Sequence, residues 1–235
     1  MDMQISLDNF SRVMKYAPLF GRGLVVTVLL SLVTVLLGFI LAFILAMMSL
    51  SSVKILRAVS TVYVQIVRCT PMMVQVLIMY YLLTGIISFP RVFLFGYIEV
   101  GRFIPAAISL ALNSGGYMSD VIRGGIEGID QGQTEAARSL GMTKGQTMRY
   151  IIIPQAIKNI LPSFANEFVT IIKESSVCSV IGVAEITKQA QNVQSATFIS
   201  LEPLFVATFL YFCLCFPTSR IIAYFERRMR ASDQR

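Results

Sequence analysis

Residues 135–154 read EAARSLGMTKGQTMRYIIIP, and this charged stretch sits in the middle of an otherwise apolar chain. Glu135 to Leu140 is a run of good helix formers. Thr134 is expected to cap it, with Glu135 in the first turn, where a negative charge suits the helix N-terminus. Gly141 fits the left-handed cap that ends a helix. Thr143 is expected to open a second short helix, and Pro154 to stop or kink what precedes it. The product is a helix–glycine–helix knob whose small Ala136 and Ala137 let another surface come close. Connections between helices are normally short, so a stretch of this length and pattern asks for a partner.

The surrounding composition says what the knob projects from. Of 235 residues, 55% are hydrophobic and 14% charged, with a mean hydropathy of +0.70; soluble domains carry about 25% charged residues. The net charge of +7 forms no basic face with interleaved aromatics, so nucleic acid is excluded as a partner. The sequence has no histidine. Cys69, Cys178, Cys213 and Cys215 stand in or beside apolar runs without metal-ligand spacing. No metal site and no catalytic residue are therefore expected. The first 20 residues lack a basic start, short apolar run and small-residue cleavage site, so they do not read as a signal peptide.

Hydropathy predicts five membrane helices: 24–48, 61–84, 103–122, 160–183 and 203–223. A polar break lies at 49–60 and a loop at 85–102, with no strands required. Only helices or closed barrels satisfy the backbone in lipid, and these runs are too long for barrel strands. The Lys and Arg residues of 123–158 and of the tail at 224–235 place both segments in the cytoplasm and the N-terminal 1–18 outside. The expectation is a single all-α transmembrane domain over 1–235.

The knob is similar to the signature of permease subunits of bacterial ATP-binding-cassette importers. That signature is EAA, three residues, Gly, nine residues, then Ile-x-Leu-Pro; here Glu135, Ala136, Ala137, Gly141, Ile151 and Pro154 match, with Ile153 in place of Leu. Arg68-Cys69-Thr70-Pro71 resembles the Arg-Gly-Thr-Pro of the polar amino acid branch, with Cys69 for Gly. Asp120 stands where that branch more often has Glu, and Lys173-Glu174-Ser175-Ser176 is similar to its Lys-Asp-Thr/Ser-Ser. The likeness runs over about residues 18–227. It implies a type I importer permease fold in which Glu135, Ala136, Ala137, Gly141 and Pro154 form a coupling helix docked into a cytoplasmic ATPase. It also implies a complex with two ATPase subunits, a second permease chain (identical or related), an extracytoplasmic amino acid-binding protein and membrane lipid. The chain lacks the GxxxxGK[ST] phosphate loop. No cofactor is expected on it, and ATP and Mg are expected on the partner ATPase.

Ionisable and polar groups within spans are costly and point to a pathway. On the second span Gln65, Arg68, Met72, Gln75 and Met79 recur at helical spacing on one face, with Pro71 expected to open the helix. Asn113, Tyr117, Asp120 and Gly124 form a stripe on the third. On the fourth, Asn166, Thr170 and Lys173 share a face, beside Glu167, Glu174 and Ser175. An amino acid zwitterion needs a cation and an anion: Arg68 or Lys173 for the carboxylate, Asp120 or Glu174 for the ammonium. The alternative is that these charges pair with each other for structure. A passive channel or ion-coupled carrier would need no knob, and carriers show repeats that this chain lacks. An intramembrane enzyme would need a nucleophile–base pair that is not found.

Overall fold

A computed structural model of the chain describes residues 6–89 and 91–233, with side chains described as far as 228. Ten α-helices and one small hairpin are present among them. They are α1 (Leu7–Met14), α2 (Ala17–Ser49), α3 (Lys54–Cys69), α4 (Met72–Ile86), β1 (Phe93–Leu94), β2 (Ile98–Glu99), α5 (Val100–Glu127), α6 (Gln131–Ser139), α7 (Lys144–Thr147), α8 (Ile153–Glu174), α9 (Ile186–Thr197) and α10 (Glu202–Asp233).

The bundle is built on α2 and α5, the most extensive helix pair. α2 is apolar all round and buries one stripe, including Val26, Leu30, Thr34, Gly38, Ala42 and Ala46. At 1.5 Å per residue its 33 residues reach about 50 Å, more than a hydrocarbon core needs. In lipid, helices associate by close contact rather than by escape from water, which favours small residues at the seam. A Cβ on Gly38 would stand 3.3 Å from Ser114 Oγ, and one on Gly115 would fall 2.8 Å from the Leu41 side chain. Leu30 and Leu110 are buried in the same seam.

The five expected spans correspond to α2, α3 with α4, α5, α8 and α10. By length and composition α2 and α10 can each cross a bilayer, and α3–α4 does so if the bent pair is one span. The second span is not one continuous helix. Its two halves meet at 110°, because Pro71 has no N–H and forces Thr70 out of the helical region, to φ −117° and ψ 143°. Gln65 and Arg68 on α3 therefore do not share a continuous face with Met72, Gln75 and Met79 on α4.

The fourth span also differs from its expected bounds. α8 begins at Ile153 and ends at Glu174, where a 3₁₀ turn over Ser175–Ile181 takes over and closes on Gly182 at φ +80°. The 85–102 loop contains the antiparallel hairpin, with Phe93 opposite Glu99, although no strand was expected. Beyond the fourth span lies α9, which no periodicity argument had assigned. Its Ile186, Ala190 and Val193 are buried against α2 and α10. Its N-cap is Glu185, fully buried, whose carboxylate accepts from the Thr187 and Lys188 N–H groups and from the Tyr211 hydroxyl.

Candidate functional site: a broken helix facing an ion pair

The bend between α3 and α4 exposes backbone carbonyls that a continuous helix would have used. Gln75, in the first turn of α4, reaches back across it. Its Nε2 donates to Val67 O at 2.9 Å and to Thr70 Oγ1 at 2.7 Å, with Thr70 O at 3.2 Å. Thr70 Oγ1 in turn donates to Ile66 O at 2.7 Å. The amide oxygen of Gln75 is not left over: Asn113 Nδ2 on α5 donates to it at 2.9 Å. Val67 and Asn113 are buried, and a buried polar group left unpaired costs about 1–3 kcal/mol, so this one amide stabilises the break and ties it to α5.

One turn away lies the charge. Arg68 Nη1 stands 2.8 Å from Asp120 Oδ2, and Arg123 Nη2 stands 3.2 Å from the other oxygen, Oδ1. Arg123 also reaches Glu127 at 3.6 Å. The Arg68 guanidinium lies 5.8 Å from the centre of the Tyr117 ring, in cation–π range. Gln65, Arg68, Asp120, Arg123, Arg57, Ser119 and Glu127 help line an open polar cleft of about 450 Å³ between α3, α5 and the end of α2. The Arg68 and Asp120 side chains are 49% and 29% exposed. Ion pairs this accessible contribute only about 0–1 kcal/mol to stability. The pair is therefore poorly explained as a structural brace.

The structure thus gathers Gln65, Arg68, Gln75, Asn113, Tyr117 and Asp120 along one line of α3, α4 and α5. Thr170, Lys173, Glu174 and Ser175 are not part of that line. They ride on the end of α8 and the start of the 3₁₀ turn after it, where Thr170 Oγ1 donates to Asn166 O at 3.3 Å and buried Ser175 donates to Ile172 O at 2.7 Å. Lys173 is exposed. Among the described residues no ion pair joins Lys173 to Asp120 or Glu174; the partners of Asp120 are Arg68 and Arg123. Sequence reasoning assigned Arg123 to the loop and passed over Arg57, and it left Glu167 beside its face. Glu167 in fact accepts from Ser114 Oγ at 2.7 Å, joining α8 to α5. The spacing of Asp120, Arg123 and Glu127 on one helix was the available signal for the first of these.

The second site is the knob. α6 begins earlier than expected, at Gln131, and its N-cap is Asp130, not Thr134; the Asp130 carboxylate accepts from Gly132 N at 2.7 Å. Glu135 therefore lies in the second turn. Thr143 does cap α7, in a reciprocal box with Gln146. Gly141 adopts φ +82° in open space, and Met142 N returns to Ala137 O at 3.1 Å, which closes α6. Ala137 is buried, whereas Glu135 and Ala136 are exposed. Leu140, at the tip, is 84% exposed. Pro154 does not stop the chain. It sits in the first turn of α8, and the missing N–H is absorbed by a π turn over Met148–Ile152 immediately before it. Gln155 Nε2 donates to Gln133 Oε1 at 3.2 Å, holding α6 against the start of α8.

Comparison with known proteins gives one consistent picture. Residues 13–231 match the family described as binding-protein-dependent transport system inner membrane component. An arginine transport system permease protein of Bacillus subtilis (strain 168) is 33% identical over 225 residues, spanning 96% of this chain and 99% of that protein. A putative glutamine transport system permease protein of Rickettsia typhi is 38% identical over 208 residues, or 88% of this chain and 91% of that protein. Among solved structures, an amino acid ABC transporter with histidines is similar at a TM-score of 0.85 and 40% identity, over 96% of this chain and 99% of that one. The MetNI methionine transporter in an inward-facing form shares the fold, with a TM-score of 0.70 at 16% identity over 90% and 96% of the two chains.

Proposed function

Because the chain belongs to the family of inner membrane components of binding-protein-dependent transport systems, we propose that its cleft between α3 and α5 receives a polar or charged amino acid on its way across the cytoplasmic membrane. The chain is a permease subunit of an ATP-binding-cassette amino acid importer and not itself a catalyst. The observation that carries the reading is the partly exposed Arg68–Asp120 pair beside the broken helix. An incoming zwitterion presents a carboxylate to the planar fork of Arg68 and an ammonium to Asp120, so the internal pair opens and two substrate pairs replace it. Arg123 keeps Asp120 oriented while Arg68 is engaged, and Asn113 with Gln75 holds the floor of the break.

Membership of this family supports the following reading of the rest of the assembly. The α6–α7 knob faces the cytoplasm and docks on one of two ATPase subunits, which bind ATP and Mg. The N-terminus lies outside, where an amino acid-binding protein delivers the substrate. A second permease chain completes the path. The test is uptake of radiolabelled amino acids into vesicles holding the reconstituted complex, with and without internal ATP. Uptake confined to ATP-loaded vesicles supports the reading. Uptake that proceeds without ATP favours a passive channel or an ion-coupled carrier.

A further inference from the structure

α1 divides its surface three ways. Projected down the helix axis, Val13 and Asn9 fall on one side, Leu7 and Met14 on a second, and Asp8, Ser11, Arg12 and Lys15 on a third. The first side is held by the protein. Val13 is fully buried with Ile186, Val193 and Ala207. Asn9 Nδ2 donates to Glu202 Oε1 at 2.8 Å, and Ser6 N reaches the same oxygen at 3.3 Å. Glu202 is itself buried, at the first residue of α10. The third side is charged and exposed. The second is apolar and bare: Leu7 is 89% exposed and Met14 54%.

We infer that α1 is an interfacial helix, its Leu7–Met14 edge sunk among the lipid chains of the leaflet at which α2 and α10 begin, and pinned at that depth by Glu202. The occupant is lipid because the edge adjoins the two helices long and apolar enough to cross a membrane, α2 through the chain and α10 through Glu202. Only Lys15 and Tyr16 separate α1 from α2, whose outward residues Val25, Leu32 and Leu36 are exposed apolar groups. The residue that ties α1 down opens α10, whose next turns expose Leu204, Phe205 and Phe209. A short helix of strong amphipathicity and low overall hydrophobicity, with basic residues on its polar side, is the form that lies in the interface plane.

The natural chain contains no tryptophan, so single-tryptophan variants of the full chain report without background. Leu7→Trp, Met14→Trp and Arg12→Trp are each reconstituted into vesicles with brominated acyl chains, and separately exposed to aqueous iodide. Phe209→Trp, on the lipid side of a span, serves as the control for insertion. The expected result is loss of emission to bromolipid at positions 7, 14 and 209, and loss to iodide at position 12. Adding Glu202→Ala to Leu7→Trp should shift its quenching from bromolipid toward iodide while position 209 is unchanged. Iodide quenching at 7 and 14 equal to that at 12 would overturn the inference by placing the edge in water. Protection of 7 and 14 from both quenchers would also overturn it, by showing a protein cover such as a second copy of this chain.

Discussion

Arg68 and Asp120 are 52 residues apart in the chain and 2.8 Å apart in space, and the contact exists because the helix carrying Arg68 stops one residue later. Had the second span run straight through Pro71, Arg68 would continue a uniform stripe. Instead it lies in the last turn of α3 and faces α5.

Loss of either charge should therefore weaken substrate handling more than folding. Arg68→Gln and Asp120→Asn each remove a charge-assisted contact of about 1.5–3 kcal/mol, equivalent to a rise in transport KM of roughly ten- to a hundredfold. Membrane abundance should stay near the natural level, since an exposed pair contributes about 1 kcal/mol or less. Uptake kinetics beside quantitative immunoblots decide it; unchanged kinetics in both variants would assign the pair to packing.

The opposite pattern is expected at Gln75. Gln75→Leu leaves the buried Val67 carbonyl and Asn113 amide without their partner, a loss of about 1–3 kcal/mol for each buried group left unsatisfied. Thermal unfolding of the purified chain should show a clear fall in Tm. A Tm equal to that of the natural chain would mean the break is held by other contacts.

Much of this was legible in the sequence, and the reasons for the rest are physical. The apolar runs behind α2 and α10 are long enough that lipid alone dictates helix there. Pro71 and Gly141 act through their own backbone, so their effects could be anticipated, as could the Thr143 cap. The size of the bend at Pro71 could not, because it depends on Gln75 and Asn113 meeting across space. α9 was missed because only Ile186, Ala190 and Val193 mark its buried side in an otherwise polar run, and its cap is a buried glutamate supplied from outside the helix. The start of α6 was misplaced because Asp130 and Thr134 are both good caps four residues apart, and tertiary contact between Gln133 and Gln155 favours the longer helix. Lys173 and Glu174 carried the same in-span charge signal as Arg68 and Asp120, yet sequence spacing does not say which helices face one another.

The tip of the knob gives a separate prediction. Leu140 is exposed in this chain, and a large apolar group at the apex of a docking element is expected to bury itself in the partner. Leu140→Asp should cut co-purification of the ATPase by about tenfold or more, a loss of at least ~1.4 kcal/mol, without affecting insertion. Retained ATPase at full stoichiometry would place the contact elsewhere on α6.

Gly141 acts on the same event through the backbone. A Cβ there meets no atom, so the cost of Gly141→Val is conformational, about 1–2 kcal/mol for a side chain held at positive φ, and larger for a β-branched one. α7 then leaves its angle to α6. ATP-driven uptake should fall steeply at normal abundance of the complex, whereas full uptake would show that the angle is not transmitted.

If Arg68 meets the substrate carboxylate, a double-mutant cycle between protein and ligand measures that contact alone. ATP-driven uptake is competed by the transported amino acid and by its carboxamide, in the natural complex and in Arg68→Gln. Amidation is expected to cost the natural permease about 1.5–3 kcal/mol of apparent affinity and to cost Arg68→Gln almost nothing more. Two losses that simply add would mean the carboxylate is bound by another group, and would contradict the Arg68 contact.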